Sequence, residues 1–335
     1  MRAADLDYEL PPELIAQRAA EPRDSARLLV YDRKSSAVRH RRFHDLPLEL
    51  GESDLIVVND TRVLPVRVRA RRSTGGAAEV LLLEPRGNGT WEALVRPYRR
   101  LHAGETLRAG DLAVTIVERL GEGRALVQPE AIGSLEAALE RDGEMPLPPY
   151  ITEPLEDRSR YQTVYARESG SAAAPTAGLH FTERLWEQIR ERHEVVAVTL
   201  DVGLDTFRPL AVDIVEKHPI HSERYHLAPA TAAAVERARD EGRRVVAVGT
   251  TTVRVLETVF GEPRGELEGR SRLLITPGFR FRATDAMVTN FHLPRSTLLA
   301  MVMAFAGVEP IRDLYRTAVS ERYRFYSFGD ATLIL

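Results

Sequence analysis

Three stretches of this sequence place small hydroxyl or amide side chains beside a helix start, and two of them carry a histidine. They are Ala174-Pro-Thr-Ala-Gly-Leu-His-Phe181, Gly249-Thr-Thr-Thr252 and Asn290-Phe-His-Leu-Pro294. A helix N-terminus offers unpaired N–H groups and a partial positive charge, so such loops suit anionic or polar ligands. Three of them point to an enzyme with a small-molecule pocket. Gly249, Thr250, Thr251 and Thr252 supply amide and hydroxyl donors without bulk, which suits ribose oxygens or a carboxylate. Threonines at a helix start serve equally well as caps. His180 and His292 are candidates for a neutral base or donor, because a helix N-terminus depresses an imidazolium pKa. Each is also the kind of histidine that only completes a structural hydrogen bond. Asp201 and Asp205, in Thr199-Leu-Asp-Val-Gly-Leu-Asp-Thr-Phe207, offer carboxylates for acid–base work or hydroxyl binding, or simply make a turn. In His218-Pro-Ile-His221-Ser-Glu223 the spacing differs from the helical zinc motif and Pro219 interrupts a helix. Polar pocket lining, and no metal, is expected there.

Composition narrows the chemistry. The 335 residues contain no cysteine, which removes disulfides, thiolate catalysis and protein-ligated iron–sulfur clusters. Apolar and charged fractions of 44% and 28% are those of a globular protein, and length favours two domains or one with an insertion. The apolar run 298–305 is too short for a membrane span, and the N-terminus lacks a signal-peptide core. A cytoplasmic monomer without membrane association is expected.

Lys34 and Lys217 are the only lysines, so positive charge is almost all arginine. Residues 61–110 hold ten arginines, among them Arg62, Arg67, Arg69, Arg99 and Arg100, against four glutamates. That is a local excess of +6 in a chain of net charge −3, as expected of a segment that faces a polyanion. Solvated strand edges are the ordinary alternative.

Leu28-Leu-Val-Tyr31 and Leu55-Ile-Val-Val58 are short buried-strand runs. From residue 63 to about 128, alternating runs (63–70, 79–84, 91–97, 112–119, 124–128) are divided by glycine turns, which predicts a hairpin barrel. A short helix over 134–141 and the stiff Met145-Pro-Leu-Pro-Pro-Tyr150 lead out of it. Beyond residue 151 helices and apolar strands alternate. Thr182 is placed to cap a helix stapled by Phe181 and Trp186, with strands over 195–200 and 245–248 and helices over 231–241, 297–305 and 310–322. The predicted fold is an α/β layered sandwich (residues 1–62 and 149–335) with an inserted all-β barrel (63–148). Ligands in such sheets sit beyond the strands' carboxyl ends.

Taken in order, further strings extend the pattern: Asn59-Asp-Thr-Arg-Val63, Pro146-Leu-Pro-Pro-Tyr-Ile151, Tyr161-Gln-Thr-Val-Tyr165, Val248-Gly-Thr-Thr-Thr252 and Ala304-Phe-Ala-Gly307. With the loops above they resemble, almost end to end, the S-adenosylmethionine:tRNA ribosyltransferase-isomerase family of queuosine synthesis. One departure stands out: Asp201 and Asp205 replace the histidine and second glycine of the family's T-L-H-V-G-x-G-T-F string. The resemblance implies an α/β sandwich with an inserted barrel. It implies S-adenosylmethionine as a substrate, with no true cofactor, and a tRNA carrying 7-aminomethyl-7-deazaguanine as partner. Ribosyl transfer and rearrangement would give epoxyqueuosine-tRNA, with adenine and methionine released. On that footing His180, His292 and Asp201 are the catalytic candidates. Thr176, Gly178, Gly249, Thr250, Thr251, Thr252 and Asn290 are candidates for S-adenosylmethionine. Arg62, Arg67, Arg69, Arg99 and Arg100, with the mouth of the α/β domain, are candidates for tRNA. A tRNA-binding protein without catalysis, or a methyltransferase, are the competing readings; adenine release separates them.

Overall fold

Leu55-Ile-Val-Val-Asn59 is buried along its whole length and becomes β3 (Leu55–Asn59), the strand around which the larger unit is built. The computed structural model describes residues 1–203 and 210–335. Ahead of β3 come β1 (Arg27–Tyr31), β2 (Val38–Arg42) and the single turn α1 (Leu46–Glu49). After the barrel follow α3 (Glu183–Arg192), β12 (Glu194–Leu200), β13 (Glu223–His226), α4 (Pro229–Asp240), β14 (Val245–Val248) and α5 (Thr250–Val259). β15 (Glu268–Ser271), β16 (Ala286–Asn290), α6 (Thr297–Ala306), α7 (Val308–Ser320) and β17 (Ala331–Ile334) complete the unit.

These strands form one nine-stranded sheet, ordered β15-β13-β12-β3-β14-β16-β17-β1-β2. Its centre, β12-β3-β14-β16, is parallel. Strands covered on both faces must be apolar without alternation, and β14 and β16 are buried at every residue. One face packs Leu28, Ile56, Val58, Val246, Val248, Val288 and Leu333 against Phe181, Leu185, Trp186 and Ile189. Thr182 caps α3 through the amide of Leu185, and Phe181 meets Trp186 edge-on at 5.7 Å, closing the staple. On the apolar helix α6, residues Leu299 to Met303 and Phe305 are all buried.

The smaller unit holds β5 (Arg67–Arg71), β6 (Ala77–Gly87), β7 (Thr90–Arg96), β8 (Thr106–Ala109), β9 (Leu112–Gly121) and β10 (Arg124–Glu130), closed as a barrel, with α2 (Leu135–Asp142). β4 (Thr61–Val63) pairs separately with β11 (Glu168–Ser171). β5 shows how the sequence builds it: Val68 and Ala70 are buried while Arg69 and Arg71 are exposed. The two units comprise residues 1–61, 148–168 and 174–335, and residues 62–147 and 169–173.

The sequence reading differs in detail. One strand over 63–70 is two, because Leu64-Pro-Val66 interrupts the ladder where Pro65 has no N–H to give. α4 begins at Pro229, whose fixed φ suits the first helical position. β2, Val38-Arg-His-Arg-Arg42, is a charged, exposed edge strand with no apolar signal to read. Among the described residues no helix is long and apolar enough to cross a membrane.

Candidate functional site

The four parallel strands end at one edge of the sheet. β17 runs antiparallel to β16 with Asn290 opposite Ala331, so the turn preceding β17 reaches the same edge. There a cleft opens, lined by Gly249–Thr251 after β14, Thr289–Leu293 after β16, Ala174–Ala177, Val202 after β12, Tyr150, Tyr326 and Ser327. Its empty space, with the open solvent at its mouth included, is about 590 Å³.

Gly249 caps α5 at φ 93° and ψ 148°, a conformation that only glycine adopts without strain. Among the described residues no side-chain cap bond is made at this helix start, which leaves first-turn amides for a ligand. Behind them stands Asn59, fully buried at the end of β3. Its Nδ2 donates to the Leu200 carbonyl and to Thr251 Oγ1, both at 3.2 Å. Its Oδ1 accepts from the amides of Thr61 and Leu200. Asn59 thus locks β12, β3 and α5 together. Because Thr251 Oγ1 already accepts from Asn59, its proton is the part left to give to a ligand.

Thr176 Oγ1 donates to Asn290 Oδ1 at 2.9 Å, and Asn290 Nδ2 donates to the Tyr326 carbonyl. His292 is 7% exposed. Its Nε2 meets Thr289 Oγ1 at 2.9 Å, its amide donates to Tyr315 Oη, and Tyr8 Oη donates to its carbonyl. The ring is thereby fixed. Burial pushes the His292 pKa down to about 3, so the imidazole is neutral near pH 7. Tyr326 has φ 71°, costly for a bulky residue, and such strain clusters at functional sites. Its ring lies 4.7 Å from that of Tyr150, whose hydroxyl bonds Ser327 Oγ at 2.7 Å.

Of the residues picked from sequence, Thr176, Gly249, Thr250, Thr251, Asn290 and His292 therefore share one cleft. The others sit elsewhere. His180 is buried, stacked on Phe43 at 4.9 Å, with its ring nitrogens 3.1 Å from the carbonyls of Ala177 and Gly329. It closes a short 3-10 turn ahead of α3, and burial rather than a helix terminus lowers its pKa. Gly178 is small because a Cβ would lie 2.0 Å from Tyr165 Oη. Thr252 Oγ1 is spent on the Val248 carbonyl at 2.7 Å. Asp201 turns to Arg224 at 2.8 Å, and Asp205 lies outside the described residues.

The arginines divide as well. Arg62 pairs with Glu136 and Glu140, and Arg69 with Glu144, while Arg67 reaches the Leu147 carbonyl at 3.5 Å. Counted over the whole smaller unit, thirteen arginines meet twelve acids, so the +6 belongs to the window chosen and not to the unit. Arg99 and Arg100 are exposed on a 3-10 turn, and among the described residues neither pairs with a carboxylate. Arg71 and Arg108, both exposed, face each other in register across β5 and β8, an unfavourable pairing unless an anion bridges it.

Tyr150, Tyr326 and Ser327 were not read from the sequence as lining. A string containing Tyr150 was legible, but the antiparallel return of β17 that delivers Tyr326 was not. Among the described residues, no three His, Asp or Glu side chains converge as metal ligands would.

A model of the queuosine biosynthesis protein family matches residues 3–334. An S-adenosylmethionine:tRNA ribosyltransferase-isomerase from Symbiobacterium thermophilum is 52% identical, with both chains fully covered. The one from Rubrobacter xylanophilus is 54% identical over all of this chain and 98% of its own. A crystal structure of S-adenosylmethionine tRNA ribosyltransferase from Thermotoga maritima is 37% identical, covering 99% of this chain and all of that one, with a TM-score of 0.58. Fold and full-length similarity agree, and the chain belongs to the queuosine biosynthesis family, among the S-adenosylmethionine:tRNA ribosyltransferase-isomerases.

Proposed function

We propose that this protein moves the ribosyl part of S-adenosylmethionine onto the aminomethyl group of 7-aminomethyl-7-deazaguanine at the tRNA wobble position. The transferred group is rearranged to an epoxycyclopentane, giving epoxyqueuosine-tRNA and releasing adenine and methionine. The observation that carries this reading is the convergence of an uncapped α5, the Thr176–Asn290 pair and a neutral His292 on one cleft. Ribose hydroxyls suit the α5 amides and the Thr251 hydroxyl.

The sulfonium acidifies the C5′ hydrogens, so a base beside that carbon starts the reaction. His292 enters as a neutral hydrogen-bond partner, not as an acid, because burial keeps it unprotonated and makes it a weak base. A base in reach contributes about 10²–10⁴-fold, roughly 3–5 kcal/mol of barrier. Phosphates of the tRNA are assigned to Arg99, Arg100, Arg71 and Arg108 on the barrel. A base in the anticodon loop is unstacked more easily than one in a duplex, at a cost of about a few kcal/mol. The site of action is cytoplasmic.

The test is chromatography of the products after incubation with S-adenosylmethionine and tRNA bearing the aminomethyl base. Adenine in step with modified tRNA is expected. S-adenosylhomocysteine in its place would mean methyl transfer and overturn the reading.

A further inference from the structure

Beyond Thr250 and Thr251 the cleft continues into a second lobe, lined by Glu223, Arg254, Leu298 and Met301 among others, and sharing Thr250, Thr251 and Leu298 with the first. Arg254 lies three and four residues after Thr251 and Thr250 on α5, so it follows them on the same helix face. It is 9% exposed, and Glu223, at the start of β13, is 8% exposed. The Arg254 guanidinium donates to the Glu223 carboxylate through Nη1 and to the His221 carbonyl through Nη2. Its Nε is buried and, among the described residues, has no acceptor. Glu223 in turn accepts from the Gly203 amide at 2.9 Å, on the loop after β12.

A buried ion pair used only to tie β13 to α5 is a costly tie, since similar-sized apolar residues often do as well or better. An arginine N–H left without an acceptor adds to that cost. A zwitterion resolves both points. We propose that this lobe is the subsite for the α-amino-acid end of S-adenosylmethionine, with the carboxylate on Arg254 and the ammonium on Glu223. The methylene chain then runs along Leu298 and Met301, and the sulfonium falls near Thr250 and Thr251, where the lobes meet. Each of the ligand's two charges is opposite in sign to its partner, and because they cancel, the lobe's net charge is unchanged on binding. This rests on the reading of the first lobe as the ribosyl site. It also accounts for methionine as a leaving group, because the lobe holds that half of the substrate apart from the ribose.

The test is titration calorimetry on the full chain with three probes. They are S-adenosylmethionine, its decarboxylated analogue, and methylthioadenosine, which lacks the amino-acid end. Arg254→Met is expected to weaken S-adenosylmethionine by about ten-fold or more. The decarboxylated compound should stay within about two-fold. Glu223→Gln is expected to weaken both probes that carry the ammonium and to spare methylthioadenosine. A merely structural pair would weaken all three alike, and that result, or no loss at all, overturns the proposal. Should Arg254→Met not fold, Arg254→Lys keeps the charge opposite Glu223 and is expected to show the same selective loss. Methylthioadenosine separates the two readings: if Thr251→Val fails to weaken it, the ribosyl site is wrong. If Thr251→Val weakens it and Arg254→Met does not discriminate, only the amino-acid subsite is wrong.

Discussion

The burial of neutral His292 makes the protein's stability depend on pH. Folding holds its pKa at about 3, against about 6.5 for the exposed side chain of an unfolded chain. Between those values the unfolded chain binds a proton that the native protein refuses. Stability is therefore complete above pH 6.5 and falls as pH drops toward 3. From pH 7 to pH 5 this single group removes about 2 kcal/mol. His180 is shifted in the same direction by its own burial, so wild-type loses more than that one share. His292→Gln removes the titrating group and keeps a hydrogen-bonding side chain beside Thr289. The larger unit is followed through Trp186 fluorescence in urea, in a Trp91→Phe background that silences the barrel tryptophan. The variant is expected to start less stable at pH 7 but to lose about 2 kcal/mol less than wild-type on going to pH 5. Parallel pH profiles, within about 0.5 kcal/mol, would mean that His292 titrates as an exposed histidine and would refute the burial argument.

Three more outcomes follow from the geometry. Thr251→Val removes the hydroxyl proton facing the cleft and should weaken S-adenosylmethionine by about 1–2 kcal/mol in calorimetry; unchanged affinity would move the ligand elsewhere. His180→Ala deletes a buried ring and its two carbonyl contacts, so the urea midpoint should fall by an amount worth about 2–4 kcal/mol. Adenine release by the folded fraction should stay within a few-fold, and loss of turnover at normal stability would restore His180 to the chemistry. Replacing Arg99 and Arg100 by alanine should weaken tRNA binding and flatten its salt dependence by about 0.7 in log–log slope per lost contact. A variant with wild-type affinity across the salt series would free these arginines from that role.

The fold was legible where one physical constraint dominates a segment. Buried parallel strands such as Leu55–Asn59 and Val245–Val248 must be apolar throughout, and barrel strands such as β5 must alternate. A cap was legible too, because Thr182 satisfies a helix amide locally. Half of the cleft followed, since loops beyond parallel strand ends converge whatever their sequence. The remainder depends on long-range placement. Tyr326 enters because β17 returns antiparallel to β16, and Arg254 meets Glu223 because β13 lies beyond β12. His180 was misleading for a related reason. Its string places it before a helix, yet the preceding turn swings its ring onto Phe43 and away from the cleft. The charge of the barrel was obscured by sequence distance, because Glu136, Glu140 and Glu144 follow the arginines that they neutralise by some seventy residues.

The most direct measurement of the central claim is the fate of the ribose carbons. S-adenosylmethionine labelled with heavy carbon in its ribose, and separately in its methyl group, is incubated with the protein and tRNA bearing the aminomethyl base. The tRNA is then digested to nucleosides and weighed by mass spectrometry. The ribose label is expected in the modified wobble nucleoside, and the methyl label is expected to leave with methionine. Methyl label in the tRNA, with the ribose label recovered in S-adenosylhomocysteine, would contradict it.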